Sequence, residues 1–271
     1  MAGDVHLIVL AAGRGTRLGL RSADLPKCLV EVGSHALLDW QLHAARQAGL
    51  EPVVVTGHAA ERLRGRAPIT VHNERYATTN MVVTLACARP WWGNGFVMAY
   101  GDIAYRPDVL RAAVAGEAPV NVVVDSAWRG YWEARFDDPL ADAESLRLDA
   151  GGSIISIGQP VGHVDEVDAQ YIGLVAFRSD GVRALERAYA AAETAAAKGS
   201  PPFGGARAYE ELYMTDLLQA LIDTGTQVAA VPVNRGWVEI DSEIDLRVAQ
   251  DYAREGGLGP PPGAERKQRT W

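Results

Sequence analysis

The feature that most constrains this chain is its first strand-like run. Residues 5–10 are almost continuously apolar, and they lead into Ala11-Ala12-Gly13-Arg14-Gly15-Thr16-Arg17. An unbroken apolar run of this length suits a strand buried on both faces of a parallel sheet. The loop that follows has phosphate chemistry. Glycines let backbone N–H groups approach an anion closely. Arg14 and Arg17 supply positive charge, and the Arg17 guanidinium can grip phosphate oxygens as a fork. Lys27 follows Pro26, ten residues beyond Arg17, and can return to the same phosphates. A P-loop needs GxxxxGK[ST], and that spacing is absent. A dinucleotide fingerprint has Gly13 and Gly15 but meets Leu18 where its third glycine belongs. Two arginines suit a triphosphate better than a pyrophosphate held mainly by backbone. Taken alone, the glycine pair also fits an ordinary turn.

Further along, strand and helix patterns alternate. Residues 37–48 have helical apolar spacing closed by Gly49, and residues 52–56 and 69–72 read as strands. Residues 81–87 read as a helix, and 96–100 as a strand ending at Gly101-Asp102. Alternation of this kind predicts an α/β fold around a mostly parallel sheet. The second half carries short β-like runs at 121–125, 134–136, 145–148 and 154–157, with a Gly151-Gly152 turn. A strand at 171–177 follows, then helices at 181–198 and 213–223, strands at 228–233 and 236–241, and a last helix at 242–254. The expected organisation is one domain over residues 1–255. Residues 1–110 form its nucleotide-binding half, and 111–255 a half with a small β-rich lobe for a second substrate. Residues 256–271 are rich in glycine and proline and read as a flexible tail.

Composition narrows the partners. The 26 basic and 34 acidic side chains give a net charge of −8, which argues against a general nucleic-acid binder. Cys28 and Cys87 lack CxxC spacing, so a structural zinc site is not expected. Two free thiols, with neither a signal-like N-terminus nor a run of the ~20 apolar residues that a membrane span needs, predict a cytoplasmic protein. The six histidines are scattered without metal-ligand spacing. Glu210-Glu211 reads as helix N-terminal charge, and Asp165, Glu166 and Asp168 as a solvated loop. A homo-oligomer is compatible with the sequence, but nothing in the pattern specifies one.

The string Leu10-Ala11-Ala12-Gly13-Arg14-Gly15-Thr16-Arg17-Leu18, with Pro26-Lys27 downstream, resembles the signature of nucleotidyltransferases that activate sugar phosphates and alcohol phosphates. Asn73-Glu74-Arg75-Tyr76, Thr79-Asn80 with Thr84-Leu85, and Gln170-Tyr171-Ile172-Gly173-Leu174 resemble segments of the subgroup that transfers cytidylyl groups to phosphocholine and phosphonates. Thr84 stands where that subgroup has serine. The resemblance implies a Rossmann-like α/β domain. It also implies transfer of a nucleoside monophosphate, CMP from CTP being favoured, to a small phosphate or phosphonate acceptor, with release of pyrophosphate.

The same resemblance implies the roles. Arg17 and Lys27 would be catalytic. Ala11, Ala12, Gly13, Arg14, Gly15, Thr16, Asn80 and Thr84 would meet the nucleotide. Asp102 and Asp241 would hold Mg²⁺, which takes oxygen ligands and commonly uses one or two carboxylates. Trp132, Tyr171 and Glu239 would form an aromatic and acidic pocket for the acceptor, since quaternary ammonium groups favour aromatic faces. A sugar 1-phosphate is the alternative acceptor. A non-catalytic nucleotide-binding module and a dinucleotide-dependent oxidoreductase are the readings from other classes. The presence of Lys27, Asp102 and Asp241 opposes the first, and the missing third glycine opposes the second.

Overall fold

The computed structural model describes residues 5–13 and 25–263. At its centre is β1 (His6–Ala11), whose Leu7, Ile8 and Val9 are fully buried. The sheet around it has seven strands. β4 (Glu51–Thr56) and then β5 (Ile69–His72) lie on one side of β1. β6 (Gly95–Tyr100), β11 (Gln170–Arg178), β8 (Val120–Asp125) and β12 (Val228–Val233) lie on the other. Every neighbouring pair is parallel except those made by β11, which runs against both β6 and β8. The mostly parallel sheet expected from the alternating pattern is therefore present, with one reversed strand.

Helices cover both faces, which is what the continuous apolar strands require. Ile8, Leu10, Val53 and Val55 face α2 (Met81–Ala86), α5 (Ser179–Ala197) and α6 (Met214–Asp223). Leu7, Val9, Ala11 and Val54 face α1 (Leu37–Ala48), α3 (Pro107–Ala115) and α4 (Trp128–Arg135). Strand periodicity thus divides consecutive residues of β1 between two cores.

Three smaller antiparallel pairs complete the architecture. β2 (Glu31–Val32) pairs with β3 (His35–Ala36), and β9 (Glu144–Leu148) pairs with β10 (Ile154–Pro160) across the expected glycine turn. β7 (Ile103–Tyr105) pairs with β13 (Trp237–Glu239), just ahead of α7 (Glu243–Arg254). No helix among the described residues is long and apolar enough to cross a membrane.

Two expectations are corrected. Residues 134–136 are not a strand. Arg135 ends helix α4, because Trp128, Tyr131, Trp132 and Arg135 fall on one helical face and all four are buried. The chain also does not leave the fold at residue 256. Leu258 is 1% exposed and packs with Trp40, Val238, Ile240 and Ala249 in a third apolar cluster.

Candidate active site

The chain passes from β5 back across β1 to reach β6, so the direction of winding reverses beside β1. In open α/β sheets, ligands bind outside the carboxyl ends of the strands at such a reversal. Ala12 and Gly13 follow β1 there, and Gly101 and Asp102 follow β6. A cavity of about 250 Å³ opens at this point. Its walls include Ala12, Gly13, Tyr76, Asn80, Thr84, Asp102, Glu239 and Asp241.

Gly101 brings the two strand ends together. A Cβ on it would stand 2.6 Å from the Leu10 carbonyl oxygen and 3.1 Å from Ala11 Cα, so any side chain would push β6 away from β1. Asp102 therefore starts from a backbone in contact with the end of β1. The β7–β13 ladder then delivers Asp241. Glu239 pairs with Ile103, and the Ile240 amide donates to the Asp102 carbonyl at 3.0 Å. Two aspartates distant in sequence become neighbours because one precedes β7 and the other follows β13.

Lys27 joins them. It begins a short 3-10 turn, Lys27–Leu29, anchored by buried Cys28 and Leu29. Its Nζ donates to Asp102 Oδ2 at 2.8 Å and also to Asp241 Oδ1. Burial alone would lower the lysine pKa, but the Asp102 and Asp241 carboxylates outweigh it and hold the ammonium above its ordinary value. Asp102 Oδ1 is buried and has no hydrogen-bond partner among the described residues. Glu239 is the third carboxylate. Burial raises it above the usual carboxylate range, the Arg135 guanidinium opposes that shift, and Asp241 and Asp102 add to it.

The segment bearing Glu239 and Asp241 is clamped along its length. Buried Asp125 accepts from Trp237 Nε1 at 2.8 Å and from the Arg235 amide at 3.2 Å. The Tyr131 hydroxyl accepts from the Glu239 amide at 2.9 Å. Asp245 Oδ2 accepts from the Asp241 and Ser242 amides at 2.9 and 2.8 Å.

The wall of the cavity formed by residues 73–84 is equally ordered. Asn73 is 2% exposed, and its Nδ2 donates to Thr79 Oγ1 and Thr84 Oγ1, both at 3.1 Å. Thr84 Oγ1 donates in turn to the Asn80 carbonyl at 3.1 Å. Its hydroxyl is thus engaged in holding the 73–84 loop. The Asn80 side chain lines the cavity and donates to the Glu211 carbonyl at 3.2 Å.

The other expected residues divide. Ala11 is buried in the core behind the cavity wall. Arg14, Gly15, Thr16 and Arg17 lie outside the described residues. Tyr171 stands one layer back, its ring edge-on to the cavity residue Tyr100 at 5.6 Å. Trp132 is not among the cavity's lining residues. It is 3% exposed and packs against Trp128, Tyr131 and Trp237. The sequence reading missed Arg135, because a strand was expected there, and it missed Asp245. Ser242-x-x-Asp245 does carry the spacing of a capping box, the one local signal available for Asp245.

The crevice at the strand ends thus gathers one lysine and three carboxylates. Residues 7–197 match the model of the MobA-like NTP transferase domain, and the chain belongs to that family. It is 32% identical over 256 residues to the CTP:phosphoglutamine cytidylyltransferase of Campylobacter jejuni, an alignment covering 90% of this chain and 98% of that one. Among solved structures, the fold is similar to that of the inositol-1-phosphate CTP transferase from T. maritima. The TM-score there is 0.70 at 20% identity, covering 94% of this chain and 97% of that one. It is also similar to the CTP:phosphocholine cytidylyltransferase from Streptococcus pneumoniae, with a TM-score of 0.68 at 19% identity, covering 92% and 99%.

Proposed function

We propose that the protein is a Mg²⁺-dependent cytidylyltransferase that transfers CMP from CTP to a small phosphorylated acceptor. The observation that carries this reading is the meeting of Lys27, Asp102 and Asp241 at the carboxyl ends of β1 and β6, beside Ala12 and Gly13. The named activity of the C. jejuni relative supports CTP as donor. It also adds an amino-acid-derived phosphoryl acceptor to the phosphocholine and phosphonate classes.

An acceptor phosphate oxygen attacks the α-phosphorus in line. One P–O bond forms, the bond to the β-phosphate oxygen breaks, and pyrophosphate leaves with the electron pair. The acceptor is already an anion near neutral pH, so no general base is required. Catalysis then rests on positioning and charge neutralisation. Ala12 and Gly13 would receive the nucleotide along their backbone. Arg14, Gly15, Thr16 and Arg17 would hold the β- and γ-phosphates. Lys27 would neutralise charge between the α-phosphate and the acceptor.

The donor set fits Mg²⁺. Asp102 and Asp241 present hard oxygen ligands, and the unpartnered Asp102 Oδ1 gives one of them a ready coordination position. Among the described residues there is no group of three or more His, Cys, Asp or Glu that could hold an ion. The two carboxylates would therefore share it with substrate phosphates and water. Bound there, the ion supplies Lewis-acid stabilisation of the phosphate oxygens.

Pyrophosphate release across four NTPs tests the reading. The acceptors are phosphocholine, aminoalkyl and hydroxyalkyl phosphonates, phosphorylated glutamine and sugar 1-phosphates. CTP with one of the first four classes is the expected pairing, and the Lys27→Ala variant should lose turnover by roughly two or more orders of magnitude. Turnover confined to UTP or dTTP with a sugar 1-phosphate would replace it.

A further inference from the structure

We propose that Arg135 and Asp245 are positioning residues for the cavity carboxylates, acting through a buried ion pair that itself lines no part of the cavity. The proposal rests on the function proposed above in placing Glu239 and Asp241 on the acceptor and metal side of the site.

The Arg135 side chain is 0% exposed and that of Asp245 1%. Arg135 Nε donates to Asp245 Oδ1 at 2.7 Å. Its Nη2 stands 3.0 Å from Glu239 Oε2 in an ion pair. Around the guanidinium lie the rings of Tyr131, Trp132 and Phe136, with centroids 5.0, 5.1 and 5.0 Å from its central carbon. The cation is therefore held in one place by stacking and by a directed bond. The two Asp245 oxygens have separate tasks. Oδ1 takes Arg135, while Oδ2 takes the Asp241 and Ser242 amides. One carboxylate thereby ties the backbone of Asp241 to the arginine that faces Glu239.

Helix capping accounts for only half of this. Asp39 and Asp216 cap α1 and α6 in the same way, each through a backbone amide. Their ion pairs run outward, to the half-exposed guanidinium groups of Arg66 and Arg207. Asp245 instead directs its second oxygen inward to a fully buried cation. Burying an ion pair costs desolvation, and apolar replacement of such a pair is often neutral or stabilising. Stability alone gives no reason for it here. Fixed direction does, because the same pair faces Glu239 through Arg135 and holds the Asp241 amide through Asp245.

The test uses the full chain and three variants: Arg135→Lys, Arg135→Met and Asp245→Asn. Circular dichroism and melting report folding. Mn²⁺ binding to the CTP-loaded protein, read by electron paramagnetic resonance, reports the site without turnover. Loss of an outer partner of a metal ligand typically weakens metal affinity 10–100-fold, and that range is expected for Asp245→Asn. Arg135→Met should raise acceptor KM more than it lowers kcat, with Arg135→Lys recovering part of the loss. CTP binding measured without metal should stay unchanged in all three. Variants that melt earlier but keep wild-type Mn²⁺ affinity and acceptor KM would reduce the pair to a structural role and overturn the proposal. So would wild-type protein binding Mn²⁺ no more tightly than Asp245→Asn. If a single variant fails to fold, the volume-conserving double variant Arg135→Met/Asp245→Asn serves instead, and wild-type behaviour from it also overturns the proposal. Absence of CTP turnover in wild type with any acceptor is a separate failure, of the proposed reaction, because the Mn²⁺ comparison does not depend on turnover.

Discussion

Trp132 sits among Trp128, Tyr131 and Trp237, with ring centroids 6.0, 5.6 and 6.2 Å away. An aromatic residue in this segment was expected to meet the acceptor, yet its contacts are those of a core residue. The two roles predict opposite measurements. Trp132→Ala should cost about 3–5 kcal/mol of stability through the cavity it leaves. Trp132→Phe should cost less and leave the acceptor KM unchanged. A raised KM in Trp132→Phe with an unaltered melting temperature would return Trp132 to the acceptor site. Cys28 gives a second residue-level prediction, and it reports on the turn that carries Lys27. Burial pushes its thiol up to about 12. Since the folded pKa lies above the ordinary thiol value of about 8.5, the fold favours the neutral form. The associated stability is complete below the ordinary value and is lost as pH rises through about 12. At pH 8, Cys28 should therefore react with a thiol reagent only as fast as the protein opens, whereas half-buried Cys87 should react directly. Equal fast labelling of both cysteines would mean that the turn beginning at Lys27 is not packed as described.

At the level of elements, the site depends on two strand ends touching. Gly101→Ala should separate β6 from β1, because its Cβ would lie inside contact distance of backbone atoms that cannot turn aside. The expected cost is about 1–3 kcal/mol in urea unfolding, with a loss of activity greater than the loss of folded protein, since Asp102 moves with the strand. Activity tracking the folded fraction would show that Asp102 is positioned by something else. The elements also show what the sequence can and cannot disclose. β1 was legible as an unbroken apolar run and α1 through its helical spacing, and the resemblance pointed to Lys27, Asp102 and Asp241, which the structure brings together. Helix α4 was not legible, since only residues 134–136 at its end were read, and so short a run carries no helical period. Leu258 was hidden by composition, because glycine and proline around it say nothing of the apolar cluster with Trp40 and Ala249 that it joins. The bond from Lys27 to both aspartates, and the Arg135–Asp245 pair, join residues that no local pattern connects. The first depends on the β7–β13 pairing that makes the two aspartates neighbours, the second on α4 packing against α7, and contacts between distant segments leave no periodic trace.

For the whole molecule, the net charge of −8 and the cavity have the same sign. Three carboxylates, Asp102, Asp241 and Glu239, line the cavity, and Lys27 stands between two of them. A polyanionic triphosphate entering this crevice meets repulsion unless cations come with it. In the proposed reaction those cations would be the lysine, Arg14 and Arg17, and a divalent ion on the two aspartates. Linkage turns that requirement into a measurement on the intact protein. A ligand that binds only the folded state, at a concentration one hundred times its Kd, adds about 2.7 kcal/mol of stability. A chain of this size gains roughly 2–4 °C per kcal/mol, so CTP with Mg²⁺ should raise the melting temperature by about 5–10 °C. CTP with a chelator should raise it much less, because the carboxylates then face the phosphates unscreened. UTP, ATP and GTP with Mg²⁺ should fall below CTP if the crevice distinguishes the base. A shift from CTP that is the same with and without the divalent ion would mean that Lys27 and the arginines alone balance the triphosphate, leaving the paired aspartates to hold Lys27 in place.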